Sequence, residues 1–475
     1  MSRAHLLYIA IAIFISVLTA SWLMHGRGVI HNDTARNIFI PKTLIMPLQL
    51  QVAYNEHDIY FRYQWPTERP HVYLDMLRYT GGEWIRHGSS PVGEQPDGVY
   101  EDRVSMLVDD GGVPEFKRYG GYITVGENHR FMSREASATE VREHAYLGQQ
   151  LGATDVRKSL PATRTDINDW RTVVDDAALT QQRQVGYFLD LWHWRAHRSN
   201  PLNVSDDEFV AEFRHSDSGI GPFYTNWDSG ANHPSLMFNP AKTGFHALNW
   251  TEVTTGRPDF DAIYYLSESM ALPFDNSLAW QEGDTLPRRV LRLPSGSRGD
   301  IRVDGQARWQ DGYWRVTLVR AKDTGDPLQD KVFKEQGLYD IAIAVHRNAM
   351  GSRWHYVSIP LEMGLGRDAE IRAHKFSGSQ PDWTQVDSHT LELFYPGQVN
   401  WTTLLSKQHA GAAHMRAGVP VRVRHSAKQL AYYGVEAEFL AEIKLQWLLT
   451  LFAGLLLIAA FALALNNLLS KQGER

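Results

Sequence analysis

The chain has 475 residues, a net charge of −6 and no cysteine. The mild charge and the lack of a dense basic run give no reason to expect nucleic acid as a partner. Without thiols, disulfides, thiolate metal sites, iron–sulfur clusters and thioether-linked c-type haem are all excluded. The length allows two or three domains, and 15 Trp, 20 Tyr and 19 Phe favour β-rich folds or sites for planar ligands.

In chain order, residues 6–24 form the first element, an apolar run broken only by Ser16, Thr19 and Ser21. Its 19 residues are enough to cross a bilayer as a helix. A cleavable signal peptide is the rival reading, but the run is long for one and no clean Ala-x-Ala site follows. From residue 43 the pattern alternates as strands do. Residues 48–54 and 59–65 read as a hairpin around the turn 55–58. A surface helix is expected over 138–151. Residues 226–244 are polar and turn-rich and read as a loop. Further strands are expected at 290–293, 313–320, 339–346 and 354–359, with Asp311-Gly312 as the turn of a hairpin. A soft boundary falls at 364–367, before a polar, His-bearing extension over 366–440. Residues 445–469 form a second apolar run with Trp447 at its entrance, a strong membrane-helix signal. Arg3, Lys471 and Arg475 flank the two runs, so the positive-inside rule puts both tips in the cytoplasm. In a bacterial inner membrane the large body, residues 29–365 with the extension, then faces the periplasm. The expected fold is mainly β, a β-sandwich with long insertions flanked by two transmembrane helices.

The stretch Asp190-Leu-Trp-His-Trp-Arg-Ala-His-Arg198 is the most unusual in the chain. Trp192 and Trp194 offer planar contact, His193 offers a metal ligand, and Arg195 and Arg198 can hold carboxylates in a fork. A haem has all three needs. A buried strand with a charged rim explains the same residues without a ligand. Other chemistry is thinly represented. Complete Gly-x-Gly-x-x-Gly, P-loop, His-Glu-x-x-His and Gly-x-Ser-x-Gly motifs are absent. The pairs Asp109-Asp110 and Asp206-Asp207 read as solvated or calcium-coordinating turns. No general acid is assembled with a nucleophile, so a non-catalytic role is expected.

Tyr100-Glu-Asp-Arg-Val-Ser-Met106, the 190–198 stretch, Leu293-Pro-Ser-Gly-Ser-Arg-Gly-Asp300, residues 309–325 and Ile343-Ala-Val-His346 together carry a resemblance. In this order they resemble the ethylbenzene dehydrogenase-related haem-binding domain, over about residues 43–365. The resemblance implies a β-sandwich holding non-covalent haem b, an electron-transfer role, and a Met and a Lys as axial ligands. On this chain it points to Met106, whose thioether suits iron, and to Lys242 in Met237-Phe-Asn-Pro-Ala-Lys-Thr-Gly244. A lysine must lose its proton to bind iron, and burial promotes that loss. His193 is the chemically easier ligand. For each of the three there is a plain structural alternative: core filler, solvated loop lysine, satisfied core histidine.

Some longer relatives carry covalent haem motifs. Here the corresponding Val421-Arg-Val-Arg-His425 keeps the histidine and has no thiols, and residues 120–132 resemble a second such region without cysteines. His409, His414 and His425 match no standard zinc spacing. The expected function is a membrane-anchored periplasmic haem b protein relaying electrons to a cytochrome or quinol-oxidising membrane partner. A haem-free docking subunit of a redox complex is one alternative. A carbohydrate-binding module stacking sugars on Trp192, Trp194, Trp227 and Trp250 is the other.

Overall fold

The computed structural model describes residues 45–87, 101–125, 136–255, 260–349, 356–394 and 435–470, apart from single positions, and a few residues before 18. One 14-stranded sheet forms the body. Its strands are β1 (Ile45–Tyr54), β2 (Asp58–Pro66), β3 (Glu101–Asp109), β4 (Leu189–Arg195), β5 (Asp206–Val210), β6 (Arg214–Ser216), β7 (Arg302–Val303), β8 (Arg308–Gln310), β9 (Tyr313–Ala321), β10 (Leu338–Ala349), β11 (Tyr356–Val357), β12 (Leu361–Leu365), β13 (Ile371–Lys375) and β14 (Ser388–Phe394). The main order is β7-β9-β2-β1-β13-β12-β10-β3-β4-β5-β6, with β8 beside β9 and β14 bridging β1 and β11.

The sheet bends so that β2 and β9 face β4. Trp194 meets Trp65 at 6.1 Å and Trp314 at 5.2 Å between ring centroids, and Trp192 meets Phe61 at 5.2 Å. These edge-on contacts close the two leaves over a core rich in buried aromatic rings. The expected mainly β fold is found, and so are its long insertions. Small sheets built from Met76–Thr80, Glu83–His87, Leu248–Asn249 and Asp284–Pro287, and from Phe223–Thr225, Leu266–Ser267 and Arg289–Leu291, lie outside the main one.

Local sequence explains the first strands. Asn55 Oδ1 accepts from the backbone N–H groups of His57 and Asp58, which turns β1 into β2. Asp311 and Gly312 have φ of 54° and 84°, the left-handed pair that a two-residue hairpin requires. The expected helix over 138–151 is shorter. It runs Ala138–Glu143 behind a capping box of Ser137 and Glu140, and turns follow. The loop at 226–244 contains a strand, Leu236–Phe238, and a helical turn, Pro240–Thr243. The boundary expected at 364–367 lies inside the sheet, because β13 and β14 both pair with β1.

The C-terminal helix, Val435–Ser470, contains a stretch, Leu448–Asn467, with mean hydropathy 2.7 and no buried face. At about 1.5 Å per residue it spans about 30 Å, the thickness of a bilayer core. This is the one membrane-length helix among the described residues. Most of the apolar run at 6–24 lies outside them, with residues 11–17 helical.

The packing makes Trp194 a keystone, since its fully buried ring touches both Trp65 and Trp314 and its Nε1 donates to Asn200 Oδ1 at 3.2 Å. Trp194→Ala should lower unfolding stability by about 3–5 kcal/mol in denaturant titrations. A loss under about 1 kcal/mol would contradict a closed aromatic interior.

Candidate functional site

β4 is buried at every position, yet its two faces differ completely. Side chains alternate along a strand. Asp190, Trp192 and Trp194 point into the closed interior, whereas His193 and Arg195 point to the outer face. The register fixes this: Met106 lies opposite Trp192, and Ser105 lies opposite His193. β5 repeats the alternation, with Asp206 opposite His193 and Asp207 opposite Trp192.

The outer face carries a buried polar cluster. His193 Nδ1 lies 2.9 Å from Arg195 Nη2 and 3.3 Å from Glu208 Oε2. Arg195 also pairs with Asp206 and, at 3.2 Å, with Glu208. The His346 ring sits 6.2 Å from that of His193. Burial, reinforced by the Arg195 charge, pushes the His193 pKa down to about 3, so its imidazole is neutral. Its Nε2 is buried and has no hydrogen-bond partner among the described residues. When Nδ1–H donates to Glu208, Nε2 carries the lone pair, which is the arrangement a metal-bound histidine uses. When Arg195 donates to a bare Nδ1, the proton sits on Nε2 instead.

Arg198 is also engaged. Its Nη2 and Nε lie 2.9 and 3.1 Å from Glu101 Oε2, and Arg103 Nε lies 2.9 Å from the same oxygen. Phe223 packs beneath Arg195 and Arg198 at 5.7 and 5.0 Å. The two arginines therefore sit together and already balance buried carboxylates.

The inner face carries a second cluster that the sequence reading missed. Arg320 is wholly buried and holds Asp190 at 2.6 Å, Asp330 at 2.6 Å and Asp207 at 3.4 Å, while its guanidinium lies 4.7 Å over Trp192. Burial opposes its charge, but the three carboxylates outweigh burial and raise its pKa above the ordinary value. Burial and mutual repulsion push Asp190 up to about 6 and Asp217 up to about 8, and Asp207 well above the usual carboxylate range. The pair Asp206-Asp207, expected in a solvated or calcium-coordinating turn, lies in β5 and is buried. Asp109 ends β3 and is buried against Lys331. No local signal betrays these pairings, because Arg320 is more than 100 residues from Asp190 and Asp207, and Lys331 more than 200 from Asp109.

The expected ligand residues do not gather at one point. Met106 is in the closed core, and its sulfur accepts from Tyr63 Oη at 3.3 Å. His193 projects from the opposite face of the sheet. Lys242 is exposed, and its Nζ donates to the Ser269 carbonyl at 2.6 Å. Among the described residues, the lysine that burial does depress is Lys158, pushed down to about 8, with its amine donating to the Gly121 carbonyl. Isolated between Arg157 and Ser159, it has no sequence signature. Trp192, Trp194 and Trp250 are buried and offer no stacking platform for sugars, whereas Trp227 is half-buried against an apolar cluster. His409, His414 and His425 lie outside the described residues, as do residues 126–132.

The family model described as ethylbenzene dehydrogenase matches residues 18–358. The chain belongs to the ethylbenzene dehydrogenase family. None of the curated proteins matches it. The family match takes in the strands β1–β11 and both clusters around β4.

Glu101 gives the outer cluster a measurable acid dependence. Burial alone would raise its pKa, but Arg198 and Arg103 outweigh burial and hold the carboxyl far below its usual range. The folded chain thus keeps Glu101 ionised where the unfolded chain takes up a proton. This stabilisation is complete above the unfolded value near about 4.3 and is lost progressively as pH falls below it. Glu101→Gln should cost about 3–5 kcal/mol near neutral pH, by leaving two buried guanidiniums short of a partner. The gap between variant and wild type should narrow in acid, as read by urea unfolding. A gap independent of pH would contradict the ionised clamp.

Proposed function

We propose that this member of the ethylbenzene dehydrogenase family is a membrane-anchored b-type haem protein that relays electrons, with its body on the periplasmic side. The observation that supports it is the buried Nε2 of His193, a neutral imidazole nitrogen without a partner among the described residues. A buried polar atom left unsatisfied is costly, and an iron ligand removes that cost. The residues on this face fit such a group. His193 would hold the metal once its Nδ1–H donates to Glu208, which requires Arg195, now 2.9 Å from Nδ1, to release that nitrogen. Arg195 and Arg198 supply positive charge for carboxylates, in competition with Asp206, Glu208 and Glu101. Trp192 and Trp194 pack behind the strand and keep it rigid, without reaching the outer face. Bound haem would supply a one-electron couple. The C-terminal helix would hold the body near a cytochrome or a quinol-oxidising membrane subunit.

Met106 supports this reading only as core. A thioether already taken by Tyr63 inside a packed interior makes a poor iron ligand without rearrangement. Lys242 would need to leave solvent and lose its proton. These two positions favour a second reading, a haem-free docking subunit of a membrane redox complex.

Absorption spectra of the full chain, expressed with ample haem, separate the two. The haem reading predicts a Soret band and a reduced-minus-oxidised α band in the wild type and in Met106→Leu. His193→Ala should lose or strongly shift both. A wild type without a Soret band would contradict the haem reading and leave the docking role.

A further inference from the structure

A different site emerges on the inner side of β5. Ser297 Oγ lies 3.4 Å from three carboxylate oxygens at once, Oδ2 of Asp217, Asp300 and Asp330. A hydroxyl has one proton and can serve only one of them. Oxygen atoms of Asp190, Asp207 and Asp330 also lie within 4.8 Å of one another. Arg320 engages one oxygen of each, namely Asp190 Oδ2, Asp207 Oδ2 and Asp330 Oδ1. The other side of the cluster has no such cover. Asp207 Oδ1, in a residue with no exposed surface, and Asp217 Oδ1, in a residue 3% exposed, have no hydrogen-bond partner among the described residues. Of the nearby cations, Arg298 hydrogen-bonds Asp206 while its charge also acts on Asp207 and Asp217, and Lys331 pairs with Asp109 and Asp110. Buried carboxyls of this kind either hold their protons or pair with a cation.

We propose that Asp217 and Asp330, which share Ser297, together with Asp207 bind a calcium ion. Every donor is oxygen, which selects a hard cation over zinc or copper. Oxygens on one calcium, each at about 2.3–2.6 Å, lie within about 5 Å of one another, and oxygens of Asp207 and Asp330 already do. Magnesium keeps several waters and takes one or two carboxylates, whereas calcium accepts an irregular set of protein oxygens. The ion would tie the segments around Ser297 and Asp330 to β5, with Thr324 Oγ1 donating to Asp330 Oδ2 at 2.6 Å to orient it. The site is structural and independent of any haem, since Asp207 and His193 project from opposite faces of the sheet.

The test is calorimetric titration of calcium chloride into the full-length protein in detergent after treatment with a chelator, together with thermal melting. One calcium should bind per chain and raise Tm by about 4 °C or more. Asp217→Asn should weaken calcium affinity on the order of tenfold or more. Asp110→Asn, which alters a half-exposed carboxylate on Lys331, should bind as the wild type does. Absence of binding heat and of any Tm shift at millimolar calcium in the wild type would overturn the proposal, and that result needs no variant to fold. Unchanged affinity in Asp217→Asn would overturn the placement. An equal Tm rise with magnesium at the same concentration would overturn the choice of ion.

Discussion

β4 is covered on both faces, and the alternation of its side chains sorts everything else in the body. Tryptophans and an aspartate point inward, and a histidine and an arginine point outward. A slip of one residue would exchange the two sets and place His193 against Trp65 and Trp314. The register with β3 and β5 is therefore specified by burial on two sides at once. Because β5 alternates in step, the chain builds two separate charged clusters back to back, one closed around Arg320 and one around Arg195.

The two clusters differ in how their charges are settled. Around Glu101, cations outnumber the carboxylate, so the acid stays ionised at the expense of desolvated guanidiniums. Around Arg320, carboxylates outnumber the cation, and Asp190, Asp207 and Asp217 are driven toward their neutral forms. Buried ion clusters of this kind contribute little net stability, but removing one partner is severe. Their evident effect here is positional. Arg320 links β9 to β4, β5 and the segment after Gly325, and Glu101 links β3 to the turn after β4.

Much of the fold is legible in the sequence wherever one face of a strand is wet. β1 and β2 alternate cleanly, Asn55 and Asp311-Gly312 announce their turns, and the C-terminal helix declares itself by length and apolarity. β4 lacks that alternation because both its faces are buried, so only the register shows that Trp192 and His193 face opposite ways. The Arg320 cluster was illegible for another reason. Its members come from residues 190, 207, 320 and 330, and no local pattern distinguishes a buried Asp-Asp pair from a solvated turn. Lys158 is a similar case, since only its surroundings depress its amine. The grouping of Met106 with His193 fails on parity alone: paired strands place Met106 beside Trp192.

The proposed haem role requires His193 to hold the metal on the outer face of the sheet. The most direct measurement is pulsed electron paramagnetic resonance on the oxidised, full-length protein expressed with 15N-labelled histidine. The account predicts a low-spin ferric signal with strong coupling to a histidine nitrogen, abolished in His193→Met. A ferric haem signal with no histidine nitrogen coupling, or with coupling unchanged in that variant, would contradict it.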